Sequence, residues 1–172
     1  MIEFILQVWL LALEPTPAEV TDFAAVTRLP EAVAREHLLW SAAAAYVYDV
    51  PVDDLRGLAD HESAWNHRVV TREPGHRVSC GIMTPVPKRR CTEQELTIRG
   101  GWMAGAAHYR EWYEVCRGSR WCAIIAYAGG LRSVRQCART GRVLSHAGHN
   151  VCDLPTDVRR RARRLHAAII SG

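Results

Sequence analysis

The chain has 172 residues, 48% of them hydrophobic and 23% charged. That is long enough for one domain with a real core, and it is the balance of a soluble globular protein rather than a disordered or fibrous one. The net charge of +4 comes from 22 basic and 18 acidic residues. The excess is local: Arg159, Arg160, Arg161, Arg163 and Arg164 lie within a few residues of a single acid, Asp157. No Walker A loop, G-x-G-x-x-G, H-E-x-x-H or G-x-S-x-G elbow occurs, which removes the usual signatures of nucleotide binding, zinc proteolysis and serine hydrolysis.

In chain order, residues 1–14 are apolar. The run Phe4–Leu13 is too short to span a bilayer, and Glu3 stands where a secretory signal carries basic residues. It reads as a first core helix, with an atypical export or anchor segment as the alternative. Thr16, Pro17 and Glu19 form a capping-box arrangement that predicts a helix over 18–28. Pro30 opens another, through about 47, with Val33, His37, Trp40 and Ala44 on one stripe. After Pro51 a helix starts at Val52. Asp53 and Asp54 sit in its first turn, where the helix dipole favours negative charge; the alternative is that one of them is a second catalytic carboxylate. Leu55, Leu58, Ala59 and Glu62 then share a face.

That face is apolar except for its last member. A Glu pressed against an apolar surface tends to keep its proton, because desolvation disfavours the charged form, and a protonated carboxyl near neutral pH is what a glycosidase needs as general acid. Asp60 and His61 lie about 100° away per residue around the helix, which puts them toward solvent or at a rim. The loop 66–79 is polar and expected to wall a groove. Glu73 is its one carboxylate, a candidate to activate water at roughly 6.5–9.5 Å from the acid. Thr92 and Glu95 form a second capping box before a helix through Trp102, Ala106, Tyr109 and Tyr113, where Gly101, Gly105 and Ala106 suggest close packing. A short apolar helix, Ala123–Ala126, ends at Tyr127-Ala128-Gly129-Gly130. A mixed metal site of Cys137, His146, His149 and Cys152 is considered and not favoured. Pro155 precedes a last helix, Thr156 to about Ile170, with Leu154, Val158, Leu165 and Ile169 in a stripe.

Cysteines stand at 80, 91, 116, 122, 137 and 152. The count is even, there is no C-x-x-C, and no His follows in zinc-finger order, so disulfides are preferred over metal ligands or free thiols. Sequence neighbours suggest 80–91, 116–122 and 137–152, out of fifteen connectivities that six cysteines allow. Disulfides imply an oxidising compartment.

Glu62-Ser63-Ala64-Trp65, Gly81-Ile82-Met83 with Pro87, Thr97-Ile98-Arg99-Gly100-Gly101 and Ala126-Tyr127-Ala128-Gly129-Gly130, in that order, resemble the soluble (SLT) lytic transglycosylases, which share the goose-type lysozyme fold. The resemblance covers about 55–165. It implies a mainly α, lysozyme-like single domain over 15–172, with a small irregular or β lobe around 66–90. The activity implied is cleavage of the MurNAc-GlcNAc β-1,4 bond of peptidoglycan, with Glu62 acting first as acid and then as base. The product carries a 1,6-anhydro-MurNAc end, and neither cofactor nor metal is needed. Ser63, Ile82, Met83, Thr84 and Tyr127 fall at substrate-binding positions, and Trp65 at one that is core or sugar-stacking, with core preferred. This sequence departs from the pattern at Thr84, where the family carries Gln, at Thr97, where it carries Asn, and at Ala128, where it carries Asn.

The expected partner is therefore the glycan strand of peptidoglycan, with no nucleic acid. Arg159, Arg160, Arg163 and Arg164 are candidates to touch an anionic wall polymer or lipid headgroups, against the alternative of a solvated helix face. The expected location is the periplasm or cell envelope, or a phage lysis or virion particle. Two rival functions stand beside this one. One is a lysozyme-type hydrolase on the same fold, with Glu73 or Asp60 activating water. The other is an inactive glycan-binding or structural envelope or virion module; the lost amides at 84 and 128 favour it, and the retained Glu62 opposes it.

Overall fold

The computed structural model describes residues 13–73, 75, 77–84, 90–145 and 148–170. The apolar segment read over 1–14 lies, up to residue 12, outside the described residues. Among these residues there are six α-helices and one two-stranded hairpin, a mainly helical fold. Helix α1 (Pro17–Thr27) opens on the expected capping box, with Glu19 N–H donating to Thr16 Oγ1 at 3.3 Å and Thr16 N–H to Glu19 Oε2 at 2.7 Å. Helix α2 (Glu31–Tyr48) follows Pro30 and stops at Asp49 in the left-handed region. Helix α3 (Val52–Glu62) carries the apolar face read from the sequence: Leu55, Leu58 and Ala59 are all fully buried.

Strands β1 (Val70–Glu73) and β2 (Arg77–Cys80) form the small antiparallel lobe, with Val70 opposite Cys80 and Glu73 opposite Arg77. The Thr92–Glu95 box also forms, but it closes one 3₁₀ turn, Gln94–Leu96. Helix α4 (Ile98–Val115) takes a fresh cap from Thr97, whose hydroxyl accepts the Gly100 N–H at 3.0 Å.

Helix α5 (Arg120–Thr140) runs further than the sequence suggests. Gly130, at φ 69° and ψ 177°, kinks it, and a second helical piece continues to Thr140. That backbone region is open essentially to glycine. The glycine pair had the signature of a helix end, whereas here it is a bend. Helix α6 (Leu154–Ile170) closes the fold, with Leu154, Val158 and Leu165 buried as expected.

Two close approaches place the elements around α3. A Cβ on Gly57 would sit 2.5 Å from the Val158 carbonyl oxygen, so α3 lies directly on α6. A Cβ on Gly105 would sit 2.5 Å from Met83 Sδ, so the turn after β2 seats on α4, as the small residues there suggested. Asp54 corrects the reading of a solvated first-turn charge. It is fully buried, accepting from Tyr109 Oη at 2.7 Å and from Arg120 at 2.6 and 2.8 Å. It ties α3 to α4 and α5 and stands nowhere near a catalytic role.

The three disulfides pair sequence neighbours: Cys80–Cys91, Cys116–Cys122 and Cys137–Cys152. They suit an oxidising, extracytoplasmic setting. With Cys137 and Cys152 bonded to each other, the mixed Cys/His metal site falls away, and no group of His, Cys, Asp or Glu among the described residues is placed to hold a metal ion. No helix among the described residues is long and apolar enough to cross a membrane.

Candidate active site

Glu62 is the last residue of α3, and the chain turns sharply after it. Ser63 caps the helix: its N–H and its hydroxyl both bond to the Ala59 carbonyl, at 3.2 and 3.1 Å. The Ser63 hydroxyl is thus spent within the helix end, and the residue does not line the cleft described below. Ala64 (φ 47°) and Trp65 (φ 70°) are both left-handed, a conformation that costs a non-glycine residue roughly 1–2 kcal/mol. Burial of Trp65 holds the turn there. Trp65 is 2% exposed, meets Phe23 edge-on at 4.9 Å, and donates from Nε1 to Asp60 Oδ1 at 2.8 Å. Trp65 is therefore core, as preferred.

Asp60 is corrected by the same contacts. It is 7% exposed rather than solvent-facing, and it also accepts from Arg161 at 2.9 Å and Arg164 at 3.1 Å. Ringed by three donors and outside the cleft lining, it is not placed to activate water. Glu73 ends β1 on the tip side of the hairpin, opposite Arg77; its side chain lies outside the described residues.

Opposite Glu62 stands the turn after β2. Gly81 (φ 78°) allows it, since a Cβ there would lie 2.5 Å from the Glu95 carbonyl oxygen. Ile82 and Met83 are fully buried against α4, so their side chains belong to the core and cannot touch a substrate. Thr84 is the residue that faces the acid: its hydroxyl donates to Glu62 Oε2 at 2.9 Å. Tyr127, on the buried half of α5, donates to the Met83 carbonyl at 2.6 Å. Burial, and after it the Glu62 charge, push its phenol well above the usual tyrosine range, so it stays a neutral donor. The three motif pieces thus converge, with Glu62 on α3, Thr84 on the turn and Tyr127 on α5.

They line a cleft of about 1120 Å³. His108 lines it too, its ring centroid 5.0 Å from that of Tyr127. Trp112 Nε1 donates to its Nε2 at 3.1 Å, which leaves Nδ1–H toward Glu111 Oε2 at 3.4 Å. Burial holds this imidazole below its ordinary pKa, hence neutral. Much of the remaining wall comes from Ser145 and from residues between His149 and Asp157, held by the Cys137–Cys152 bond and by Asn150, whose Oδ1 accepts the Val143 N–H at 2.9 Å.

On that wall His61 Nδ1 meets Asp157 Oδ2 at 3.0 Å. Asp157 also accepts from Arg161 at 2.7 Å and from Arg160. Burial alone would raise the Asp157 carboxyl, but the bonds from Arg161, His61 and Arg160 outweigh it and hold it at about 2. The four arginines read as an outward basic face are all exposed, and two of them, Arg160 and Arg164, also pair with Asp157 and Asp60.

Sequence reasoning missed His61, His108, Asn150 and Asp157 as cleft residues. Each reaches the cleft through helix or loop packing that no local motif announces. Glu62 was found from the apolar helix face, and Thr84 and Tyr127 from the resemblance, because those lie inside short motifs. The chemistry available is that of the Glu62 carboxyl group with an apolar helix face behind it and a hydroxyl donor on one oxygen, in a cleft that also carries Asp153, bonded by Asn150, and Asp157, bonded by His61, Arg160 and Arg161. No protein-family model matches the chain, and neither a curated protein nor a solved structure matches it.

Proposed function

We propose that the protein is a peptidoglycan-cleaving lytic transglycosylase with a lysozyme-like fold, acting through Glu62. The observation that carries this reading is the placement of Glu62 at the foot of the cleft. It stands at the end of an apolar helix face, its carboxylate held by Thr84 and with Tyr127 beside it. Asp60 does not join it, being ringed by Trp65, Arg161 and Arg164. The other described carboxylates of the cleft, Asp153 and Asp157, are bonded by Asn150 and by His61, Arg160 and Arg161, and a reaction in which one carboxyl group serves as acid and then base fits that arrangement.

In this mechanism Glu62 gives its proton to the glycosidic oxygen as the bond to the anomeric carbon breaks. The resulting carboxylate then takes the proton of the C6 hydroxyl as that oxygen attacks the anomeric carbon. Glu62 ends protonated as it began, no water is added, and the product carries a 1,6-anhydro ring. The oxidising setting implied by three disulfides suits an envelope, lysis or virion enzyme.

The test is mass spectrometry of the products from purified peptidoglycan with the parent protein and Glu62→Gln. Anhydro-muropeptides from the parent, and none from the variant, are expected. No soluble product from the parent across several wall types would overturn the reading and leave a binding or structural module.

A further inference from the structure

The cleft holds a second proton acceptor that the transglycosylase chemistry does not use. His61 precedes Glu62 on α3 and lines the same cleft, its side chain 35% exposed. Its Nδ1 is bonded to Asp157 Oδ2 at 3.0 Å, and Asp157 is kept anionic by Arg160 and Arg161. A carboxylate on Nδ1 fixes the proton there and leaves a lone pair on Nε2. That Nε2 makes no hydrogen bond among the described residues. A histidine that lines a cleft and is oriented by a carboxylate on one ring nitrogen is suited to act as a general base.

Its separation from Glu62 is also suited to a water molecule. Successive residues point about 100° apart on a helix some 10–12 Å across, which sets their side-chain tips roughly 8 Å apart. Inverting glycosidases place acid and base about 6.5–9.5 Å apart, leaving room for the attacking water.

We propose that His61, oriented by Asp157, activates water in this cleft, so that the protein also hydrolyses the glycosidic bond that it cleaves by transglycosylation. The inference rests on Glu62 being the general acid. Nε2 takes one proton from water as the water oxygen bonds to the anomeric carbon. The bond to the leaving oxygen breaks with its electron pair, and Glu62 supplies the proton to that oxygen. The products are a reducing sugar of inverted configuration and a free 4-hydroxyl. His61 is left protonated and Glu62 ionised, and solvent returns the proton.

The experiment is digestion of purified peptidoglycan in ¹⁸O-water, with reducing and anhydro ends counted by mass spectrometry. The parent is expected to give both, with ¹⁸O only in the reducing ends and the α anomer formed first. A general base contributes about 10²–10⁴-fold, so His61→Gln should lower the ratio of reducing to anhydro ends at least tenfold. Asp157→Asn should lower it too, since the amide can turn its NH₂ to Nδ1 and move the ring proton to Nε2. An unchanged ratio in both variants, or a β anomer, would overturn the assignment.

A parent giving anhydro ends alone would overturn the hydrolytic branch and leave the transglycosylase standing. A parent giving neither product would overturn both. Independently of turnover, long-range ¹H–¹⁵N spectra should show the His61 proton on Nδ1, and a proton on Nε2 at neutral pH would count against the base.

Discussion

The Thr84 hydroxyl donates to Glu62 Oε2 at 2.9 Å across a gap of 22 residues. On the proposed reading, this hydroxyl positions Glu62. Thr84→Val removes one hydrogen bond to Glu62, about 1 kcal/mol, and is expected to lower kcat about fivefold with little change in KM. Thr84→Ser should restore turnover. A loss confined to KM would show that Thr84 holds substrate.

The buried network of α3, α4 and α5 should appear in stability. Tyr109 and Asp54 are both fully buried, and the phenol donates to the carboxylate at 2.7 Å. Tyr109→Phe keeps the ring and loses a hydrogen bond to a charged acceptor, which is expected to cost about 2 kcal/mol. Urea denaturation at pH 7 measures it. A variant as stable as the parent would mean that Arg120, bonded at 2.6 and 2.8 Å, satisfies Asp54 by itself.

His37 sets an acid limit on folding. It is fully buried, its Nδ1 accepts from Trp102 Nε1 at 3.1 Å, and its Nε2 has no partner among the described residues. Burial, and secondarily the charge of His67, lower its pKa to about 3. In the unfolded chain it titrates near 6.5. Between those values the unfolded state binds a proton that the folded state refuses. Stability is therefore full above pH 6.5 and falls as pH drops toward 3, by up to about 1.4 kcal/mol per pH unit. Denaturation at pH 7, 6, 5 and 4 should show this slope in the parent and a flatter one in His37→Gln. Parallel curves would remove His37 as the cause.

The Cys137–Cys152 bond closes 15 residues and carries one wall of the cleft. Replacing both by serine is expected to cost about 3 kcal/mol, the loop-closure entropy returned to the unfolded chain. Because the wall loosens first, KM for peptidoglycan should rise before kcat falls. An unchanged KM in a destabilised variant would show that Asn150 holds the wall without the bond.

Local chemistry was legible in the sequence. The apolar stripe of α3, the Thr16 box and the close-packed glycines of α4 follow from spacing within about ten residues, while the site motifs came from the family resemblance. What escaped was decided at long range. Asp54 and Asp60 read as exposed because a helix pattern shows which residues share a face but not which element covers it. Their partners, Arg120 and Arg161, lie 66 and 101 residues away. His61 and Asp157 are 96 apart and meet only because Gly57 lets α6 settle on α3. Ile82 and Met83 were read as lining because motif position says nothing about which way a turn is seated, and the small residues of α4 draw both inward.

The turn that follows the acid has a consequence for how this protein would respond to selection. Ala64 is exposed and left-handed at φ 47°, so a glycine there relieves strain worth up to about 1 kcal/mol. The same glycine frees the backbone two residues from Glu62. Heat resistance and turnover thus pull in opposite directions at position 64, and a library sorted only for survival at high temperature would enrich proteins whose acid has lost its aim.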